Sequence, residues 1–379
     1  MNIAIDARSL QDFELTGVGE YTQNIIKNIL IEDQENNYFL FFNTTKELPA
    51  HAHFVGPNIT TVKFNFPNKL LNLLLTLTRE PHLDKLIEHR CHSKIDLFIL
   101  PNINFFRSHC PYIITCHDLS FKIFPTFFSP RSRLWHWLVN PARLYRQAAR
   151  VITVSENTKR DLQAIFHVSS EKTTTIPSGL KPATNQGNNL QNKYSLPKQY
   201  FLTLGTLEPR KNLMTLIEAF ELWCQKNNQP IDLVIAGRDG WQAKKIHARA
   251  EQSPFTKRIH LINYVAEADK SSLYTGAKIF IFPSYYEGFG FPPLEAMQYG
   301  VPVMAADNSA LTEVSGDAAY YINAYNVNAI AQGINNLLQP AVAAWYRDRG
   351  HERIQNYTWK QTATNLLALI QKLNKKVVS

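Results

Sequence analysis

Residues 282–297 read FPSYYEGFGFPPLEAM. The apolar residues that lead into this stretch predict a buried strand, and its two glycines predict a loop after that strand. Proline suits the first turn of a helix and glycine suits its end, so Pro292 or Pro293 together with Gly300 predicts a short helix. A glycine loop that runs into a helix N-terminus presents backbone N–H groups and partial positive charge. The stretch therefore predicts a binding site for an anion such as a phosphate.

Two carboxylates flank this predicted anion site, Glu287 in the loop and Glu295 in the predicted first turn of the helix. Carboxylate oxygens accept hydrogen bonds, so the pair can frame a ligand that carries hydroxyl groups. A glutamate at a helix start also stabilises the helix itself by opposing its dipole. For Glu295 considered alone, ligand binding and helix stabilisation are equally good interpretations.

Short runs of β-branched and aromatic residues alternate with helix-length segments along the chain. Several runs are apolar at every position, which is typical of strands buried on both faces of a parallel sheet. This alternation predicts two α/β domains. The predicted strands are Ile3–Asp6, Tyr38–Phe42, Thr61–Phe66, Asp96–Leu100, Tyr112–Cys116, Val151–Val154, Tyr200–Leu204, Ile231–Ala236, Ile259–Asn263, Ile279–Phe282 and Pro302–Ala305.

A polar segment rich in Asn, Gln and Gly separates the two predicted domains at residues 182–192. It has few apolar side chains to bury, so it predicts a linker. We therefore expect an N-terminal domain over residues 1–185 and a C-terminal domain over residues 196–359. Leucine and isoleucine recur at helical spacing between Leu366 and Leu373, which predicts a final amphipathic helix.

The 379 residues carry a formal net charge of +9, and this charge is concentrated in one region. Residues 101–200 hold 13 basic and four acidic residues, whereas the rest of the chain is balanced at 27 of each. No nucleic-acid recognition motif accompanies the charge, so we expect no nucleic-acid partner. The chain opens on a predicted strand rather than a signal peptide, and no apolar run reaches the ~20 residues of a membrane span. These features predict a cytoplasmic protein.

The segment from Arg131 to Arg150 contains five arginines, two tryptophans and no acidic residue. A basic helix with aromatic residues is typical of proteins that lie on an anionic membrane. An ordinary surface helix whose tryptophans face the core has the same composition. Both interpretations stay open from the sequence, and the first predicts a peripheral association with the inner face of the cytoplasmic membrane.

Four further segments follow predicted strands and carry glycine or polar residues at the strand end. They read GTLEPRKN at 205–212, AGRDGW at 236–241, TGVGEYT at 16–22 and CHDLSF at 116–121. Ligands of open α/β sheets bind at the carboxyl ends of the strands. The G-x-G of residues 17–19 lacks the third glycine of the dinucleotide fingerprint, so a Rossmann dehydrogenase is not supported. We expect Ser155 and Asp269 to act as helix N-caps.

The E-x7-E spacing from Glu287 to Glu295, set between EGFG and PPLEAM, resembles the signature of glycosyltransferase family 4. The supporting segments follow the family's order along nearly the whole chain. The resemblance implies the α/β GT-B fold, in which two Rossmann-like domains with parallel sheets face each other across a cleft. It also implies that a C-terminal helix at about 360–379 crosses back onto the N-terminal, acceptor-side domain. Such enzymes transfer a sugar from a nucleotide-sugar donor to an acceptor hydroxyl with retention of anomeric configuration.

The resemblance also implies roles for individual residues. Glu287 is expected to bind hydroxyls of the donor sugar, His117 to contact that sugar, and Glu295 to bind the nucleotide ribose. Lys211 and Arg210 are expected to neutralise the diphosphate as it leaves. Further donor contacts are expected from Gly17, Gly19, Gly205, Arg238, Gly288, Phe289, Gly290 and Leu294.

The segments most resemble the mannosyltransferase-type subgroup that builds bacterial surface polysaccharide, including lipopolysaccharide. The implied donor is GDP-mannose and the implied acceptor is a glycan or a lipid-linked sugar. No D-x-D motif is evident, so the resemblance implies a reaction without metal or cofactor, in which the leaving diphosphate helps to deprotonate the acceptor. The alternatives are a sugar-nucleotide 2-epimerase of the same fold and a non-catalytic protein that binds nucleotide sugars or membranes.

Overall fold

The chain forms two compact domains in a computed structural model that describes residues 1–78, 80–183 and 193–378. The first domain comprises Met1–Leu119, Pro130–Gly179 and the C-terminal segment that begins at Thr358. The second comprises Leu180–Tyr357 together with the short segment Ser120–Ser129. Most of the predicted linker, residues 184–192, lies outside the described residues.

In the described part of the first domain, seven strands form one sheet. They are β1 (Asn2–Asp6), β2 (Asn37–Asn43), β3 (Ile59–Phe64), β4 (Leu97–Leu100), β5 (Tyr112–Cys116), β6 (Arg150–Thr153) and β7 (Thr173–Thr175). The strand order is β3-β2-β1-β4-β5-β6-β7, and every neighbouring pair is parallel. All residues of β4 and β5 are buried, as expected of central strands in a sheet covered on both faces.

In the described part of the second domain, six strands form a second sheet. They are β8 (Tyr200–Leu204), β9 (Asp232–Ala236), β10 (Ile259–Ile262), β11 (Ala277–Phe282), β12 (Val303–Ala306) and β13 (Ala319–Ile322). The order is β10-β9-β8-β11-β12-β13, again with every pair parallel. The expected pair of parallel α/β domains is confirmed.

Two strands escaped the sequence analysis, and both lie at sheet edges. β7 reads TTT and β13 reads AYYI, and each is the last strand of its sheet. A short edge strand needs no long apolar run, because one of its sides has no strand neighbour. Hydrophobic patterning therefore carries little signal for such strands.

The helices alternate with the strands as the sequence predicts. In the described residues they are Gly17–Glu32, Asn68–Leu77, Leu83–Cys91, Ser120–Ile123, Pro130–Val139, Pro141–Gln147, Glu156–Phe166, Leu213–Lys226, Ala243–Glu251, Glu267–Thr275, Phe291–Gln298, Leu311–Ser315, Val327–Leu337, Pro340–Ile354 and Trp359–Val378. No helix among them combines the length and the hydropathy that a membrane span requires.

The helix Trp359–Val378 packs on the first domain and contains the predicted final amphipathic segment. Leu366 and Ile370 on its inner face are each 1% exposed. The Thr362 hydroxyl donates to the carbonyl of Pro177 at 2.8 Å, and the Trp359 ring meets Tyr21 edge-on at 5.7 Å. The burial of one apolar face holds this helix on the domain that contains the N-terminus.

The strand order of each sheet defines where a ligand is expected. The order reverses beside β1 and β4 in the first sheet and beside β8 and β11 in the second. Loops at the carboxyl ends of such neighbouring strands diverge to opposite faces and leave a crevice. The segments that the sequence analysis selected after β1, β8 and β11 therefore lie at the two switch points.

Candidate functional site

Glu287, Arg210 and Lys211 meet in the second domain at the carboxyl ends of β8 and β11. One Glu287 oxygen accepts from Arg210 Nη1 at 2.6 Å, and the other accepts from Lys211 Nζ at 2.6 Å. The three side chains are largely buried, with exposed fractions of 9%, 16% and 12%. The structure thus brings together one buried carboxylate and two cations that the sequence analysis selected at positions 77 and 76 residues apart in the chain.

The charges in this cluster hold Glu287 in its ionised form. Burial by itself raises the pKa of the Glu287 carboxyl, but the positive charges of Arg210 and Lys211 outweigh it and lower that pKa to about 2. The pKa of Lys211 lies below its usual value because burial disfavours its charge more than Glu287 restores it. Its Nζ also lies 4.7 Å from the centre of the Phe282 ring, a cation–π contact.

Backbone and side-chain hydrogen bonds from three loops fix the cluster in place. The Arg210 guanidinium also bonds Glu208 and the carbonyl of Tyr286, so it cannot swing freely. The Tyr285 N–H donates to the Arg210 carbonyl at 2.9 Å, and the Glu287 N–H donates to the Ser309 hydroxyl at 3.0 Å. The site is therefore organised before any ligand arrives.

Asn212 closes the loop after β8 with a left-handed conformation, φ +57°. Asparagine tolerates this conformation better than most residues. Its side-chain amide donates to the carbonyls of Pro283 and Ala324 at 3.1 and 2.7 Å. Asn212 thus connects the loop after β8 to the loops after β11 and β13.

The loops after β8 and β9 pack directly on each other. The Leu207 N–H donates to the Arg238 carbonyl at 2.8 Å, and the Gly205 N–H donates to Ala236 at 2.9 Å. A Cβ at Gly237 would lie 1.9 Å from the Gly205 carbonyl oxygen, and φ at this position is +148°. Only glycine fits there. Gly205 itself lines the path of the Lys211 side chain.

Arg238 follows β9, and its guanidinium carbon lies 4.2 Å from the centre of the Tyr264 ring. An arginine on an aromatic face is a flat cationic surface that suits a phosphate or a nucleotide base. The sequence analysis expects a donor contact from Arg238 without assigning it to phosphate or base, and the geometry is compatible with either. Its role remains a prediction.

The helix Phe291–Gln298 begins at the end of the glycine loop, after Gly290 with φ +99°. Pro292 and Pro293 occupy its first turn, as predicted, and Gly300 with φ +67° lies just past its end. Because prolines have no N–H, backbone donors at this helix start can come only from the residues around Gly288 and Gly290. The glycine loop and helix start of the predicted anion site are present, but the two prolines reduce the number of backbone N–H donors there.

Two predicted donor contacts are buried side chains. Leu294 is 0% exposed, and Phe289 is 5% exposed and packs against Phe291 and Tyr357. The Leu294 side chain is thus inaccessible to a ligand, and Phe289 can offer only its backbone. These two apolar side chains pack in the core of the second domain, as apolar residues usually do.

Glu295 is the fifth residue of its helix, so its predicted place in the first turn is wrong. The helix starts at Phe291, two residues before the position that the second proline suggested. One carboxylate oxygen accepts from the Tyr274 hydroxyl at 2.7 Å, and the other lies 3.8 Å from Lys270 Nζ. Glu295 is therefore oriented by two neighbours and not by the helix dipole, and its role in ligand binding stays a prediction.

The two predicted N-caps have different outcomes. Ser155 caps the helix Glu156–Phe166 by accepting from the Thr158 N–H at 3.1 Å, so that prediction is confirmed. Asp269 does not cap its helix, because the helix begins earlier, at Glu267. Its carboxylate instead accepts from the Tyr194 hydroxyl at 2.7 Å.

In the first domain, Gly17 and Gly19 lie inside a helix, although two glycines in G-x-G spacing after a strand are typical of a loop. The helix Gly17–Glu32 begins at Gly17, and the Thr16 hydroxyl accepts from the Gly19 N–H at 3.3 Å. A threonine N-cap starts a helix readily, and the glycines do not prevent it. A Cβ at Gly17 would meet nothing within 4 Å, so this position faces open space.

His117 follows β5, and its ring makes one hydrogen bond and one aromatic contact. Nε2 donates to the Pro101 carbonyl at 2.8 Å, and the Tyr21 ring meets the imidazole edge-on at 4.7 Å. A carbonyl only accepts, so Nε2 carries the proton and Nδ1 is the acceptor of the neutral ring. Burial lowers the pKa of His117 below its usual value, which keeps the imidazole neutral near pH 7.

A cavity of about 260 Å³ with a mixed polar and apolar lining lies at the switch point of the first sheet, beside β1 and β4. Arg8 lines it and is held by Asp6 through two hydrogen bonds at 2.7 and 2.8 Å. Pro101, whose carbonyl holds His117, and Asn102 line it as well, with Trp135 on one wall. Polar planar side chains beside an aromatic ring are the composition of sites that bind hydroxylated ligands.

The basic segment Arg131–Arg150 forms two helices of the first domain, Pro130–Val139 and Pro141–Gln147. Trp135 turns inward and packs edge-on against Phe105 at 6.2 Å. Trp137 turns outward and is 75% exposed. Trp135 therefore fits the interpretation of a surface helix whose tryptophans face the core, and Trp137 fits the interpretation of a helix that lies on a membrane.

Several residues of these sites were missed by sequence reasoning. Glu208 and Asn212 belong to the quoted GTLEPRKN segment but received no role, because their partners lie far along the chain. Asp6 and Arg8 are two residues apart at the end of β1, a weak signal in any sequence. Ser309 has no sequence signal that we can identify.

Comparisons with known proteins match these observations. The family model described as Glycosyltransferase Family 4 matches residues 16–184, and the one described as Glycosyl transferases group 1 matches residues 188–349. O-antigen chain mannosyltransferase B of Escherichia coli is 26% identical over 94% of this chain and 96% of its own length. Serotype-specific mannosyltransferase WbdA of Escherichia coli is 27% identical over 66% of this chain, which spans only 32% of WbdA.

Two solved structures illustrate the fold. Sucrose-phosphate synthase from Thermosynechococcus elongatus superposes with a TM-score of 0.76 at 19% identity and covers 99% of both chains. HepE of Anabaena, in complex with UDP and glucose, has a TM-score of 0.69 at 16% identity and covers 98% of this chain and 99% of its own. At these identities the likeness shows the GT-B fold alone. The two family models together take in most of the sequence, and the chain belongs to glycosyltransferase family 4.

Proposed function

We propose that the protein is a retaining mannosyltransferase that moves mannose from GDP-mannose to a hydroxyl of a glycan or lipid-linked acceptor in bacterial surface polysaccharide synthesis. The observation that carries this proposal is the buried cluster of Glu287, Arg210 and Lys211 at the switch point of the second sheet. Two of the relatives are described as mannosyltransferases of Escherichia coli, and this similarity supports mannose as the sugar that we propose is transferred.

The cluster suits a reaction in which negative charge develops on a leaving diphosphate. The bond between the sugar C1 and the diphosphate oxygen breaks, and the acceptor oxygen forms the new bond to C1. The acceptor proton passes to an oxygen of the departing diphosphate. Arg210 and Lys211 oppose the developing charge, and because Glu287 already holds them they need no reorganisation during the reaction.

Glu287 has a second task in this proposal. Its ionised carboxylate can only accept hydrogen bonds, so it orients the hydroxyls of the donor sugar. His117 in the first domain is neutral, and its Nδ1 accepts a hydrogen bond from another hydroxyl of the donor sugar. Glu295 accepts from the ribose of the nucleotide. Each role uses an acceptor whose other contacts fix its direction.

A thermal-shift titration tests the donor. A ligand present at 100 times its Kd stabilises a folded protein by about 2.7 kcal/mol. We expect GDP and GDP-mannose to raise Tm more than UDP does at equal concentration. The Glu287→Ala variant should keep the shift with GDP and lose transfer. The absence of a shift with both nucleotides would overturn the transferase proposal.

We also propose that the reaction needs no metal ion. The described residues contain no group of three or more His, Cys, Asp or Glu side chains that is arranged to hold one. The fixed cations Arg210 and Lys211 supply positive charge at the diphosphate in its place. The rate of transfer should be the same in EDTA as in added Mg²⁺ or Mn²⁺, and a rate that depends on metal would refute this part.

We propose that the first domain docks on the inner face of the cytoplasmic membrane through the helix Pro130–Val139. Leu134, Trp137 and Leu138 lie on one face of this helix and are 56%, 75% and 38% exposed. Arg131 and Arg133 beside them are exposed as well. An apolar face with basic neighbours fits an anionic lipid surface.

Flotation with vesicles of phosphatidylcholine and phosphatidylglycerol tests the docking. The double variant Arg131→Ala, Arg133→Ala should bind more weakly by on the order of tenfold or more, and 0.5 M salt should have a similar effect. The double variant Lys244→Ala, Lys245→Ala, which removes two exposed charges from the second domain, is the matched control. Equal binding by both double variants would refute the docking surface.

A further inference from the structure

Four aromatic rings form a continuous stack in the second domain. Phe124 stacks on Phe127 with ring centres 5.1 Å apart, and Phe127 stacks on Tyr285 at 5.7 Å. Tyr285 in turn stacks on Tyr325 at 4.8 Å. The interplanar angles of 7°, 26° and 29° make the rings nearly parallel. We refer to these four residues as the aromatic ladder.

The ladder adjoins the Glu287 cluster through the backbone. The Tyr285 N–H donates to the Arg210 carbonyl at 2.9 Å, and the next residue, Tyr286, accepts from the Arg210 guanidinium at 3.0 Å. The loop that carries Tyr325 is tied to the same region, because Asn212 donates to the carbonyl of Ala324 at 2.7 Å. The ladder therefore borders the Glu287 cluster and is fixed to it by these backbone hydrogen bonds.

The outer end of the ladder is open to solvent. The Tyr325 side chain is 67% exposed, and Asn323 beside it is also exposed. The Asn323 side-chain oxygen accepts the Tyr325 N–H at 2.9 Å, which fixes the turn that presents the ring. A tyrosine ring that is fixed in place and exposed offers an apolar face and a hydroxyl, which suits an interface with a ligand.

The inner end of the ladder has an evident packing role that Tyr325 does not share. Phe124 and Phe127 belong to the segment Ser120–Ser129, and their contacts with Tyr285 and Tyr286 hold that segment in the second domain. Tyr325 contacts only Tyr285 among the ladder rings. Packing of the segment therefore leaves the exposed ring of Tyr325 unexplained.

We infer that Tyr325 and the edge of Tyr285 form a binding platform for a pyranose ring of the acceptor glycan. This contact lies in the second domain and adds to the acceptor side that the resemblance implies for the first domain. The C–H groups of a pyranose give it an apolar face that stacks on an aromatic ring, while its hydroxyls point outward to polar neighbours such as Asn323. The platform borders the cluster, so it receives a sugar of the acceptor chain beyond the one that reacts. This inference rests on the proposed transferase function.

Steady-state kinetics with mannose and with a mannotriose acceptor test the platform. The Tyr325→Ala variant should raise KM for mannotriose about tenfold, with kcat and the donor KM unchanged. Tyr325→Phe keeps the ring and should behave as wild type. Trp345→Ala removes another exposed aromatic ring, 47% exposed on the helix Pro340–Ile354, and is the matched control. An unchanged mannotriose KM in Tyr325→Ala, or an equal rise for mannose and mannotriose, would overturn the inference.

A binding titration separates this inference from the proposed function. Mannotriose is titrated into the protein without nucleotide and followed by NMR line broadening of the sugar. Broadening with wild type and its loss with Tyr325→Ala support the platform even if GDP and UDP fail to stabilise the protein, a result that would count against the transferase alone. Equal broadening in both proteins, or none in wild type, overturns the platform even if GDP stabilises the protein.

Discussion

Glu287 is held between two cations in a buried position, and this arrangement makes a prediction about stability. The folded protein keeps the Glu287 pKa at about 2, below its usual value of 4.5. A carboxyl with a depressed folded pKa stabilises the fold fully above its unfolded pKa and loses that contribution as pH falls through the folded pKa. The contribution is about 3 kcal/mol when complete.

We therefore expect Tm of the wild type to fall more steeply between pH 5 and pH 2 than Tm of Glu287→Gln. The amide cannot titrate, so the variant lacks this proton uptake while it keeps the size of the side chain. Differential scanning calorimetry at steps of half a pH unit measures the two slopes. Parallel slopes would show that Glu287 is not ionised between Arg210 and Lys211.

His117 makes a separate prediction, because its two ring nitrogens have different tasks. His117→Gln can keep the hydrogen bond to the Pro101 carbonyl through its amide N–H, but its amide oxygen does not occupy the position of the Nδ1 acceptor. We expect this variant to fold with a Tm near that of wild type and to lose transfer activity by on the order of 100-fold, the size of a lost positioning contact. His117→Ala should lose both stability and activity. Wild-type kinetics in His117→Gln would remove His117 from the site.

A substitution at Gly17 can show whether this glycine is needed for folding or for donor binding. A Cβ at this helix position meets nothing, and alanine is favoured over glycine in helices by up to about 1 kcal/mol. Gly17→Ala should therefore fold at least as stably as wild type, and its donor KM should rise if phosphate approaches this backbone. Circular dichroism melting and donor titration test both halves. An unchanged donor KM would refute the donor contact that the resemblance implies for Gly17.

The sequence was most informative where a residue's chemistry is tied to a local motif. Glu287, Arg210 and Lys211 stand in recognisable loops, and the structure places them within hydrogen-bond reach. Asp6 and Arg8 form an equally close pair, yet no motif marks them. The Leu294 side chain fills the core, so the donor contact predicted for Leu294 can come only from its backbone and stays a prediction.

At the scale of elements, the packed loops after β8 and β9 depend on Gly237. The Cβ of an alanine there would collide with the Gly205 carbonyl, and the collision involves rigid backbone. We expect Gly237→Ala to lower the free energy of unfolding of the second domain by about 3 kcal/mol and to weaken GDP binding. Gly56→Ala is the control, because a Cβ at Gly56 makes only ordinary contacts at 3.7 Å. Urea unfolding of both variants measures the difference, and equal midpoints would contradict the close approach.

Element boundaries were predicted less well than element types. The helix starts at Gly17 and at Phe291 both differ from expectation, and each shift changed the interpretation of a site residue. Thr16 was available as an N-cap signal for the first helix, but the glycines that follow it pointed to a loop. At Phe291 two prolines allowed two starts, and the left-handed backbone of Gly290, with φ +99°, makes it the last residue before the helix.

At the scale of the molecule, the two parallel sheets were predictable because buried strands and helices alternate clearly in the sequence. The two missed strands lie at the edges, where patterning is weak, and their absence did not change the fold class. The segment Ser120–Ser129 was not predictable, since it belongs with the second domain although its neighbours in the chain belong to the first. Such long-range packing leaves no local signal.

The most direct test of the proposed function is the anomeric configuration of the product, measured by NMR from the one-bond C1–H1 coupling. GDP-mannose carries an α-linked mannose, so wild-type protein with a mannotriose acceptor should form a new α-mannoside, and Glu287→Ala should form none. A β-linked product would contradict retention. Equal product from wild type and Glu287→Ala would contradict the central role of the Glu287, Arg210 and Lys211 cluster.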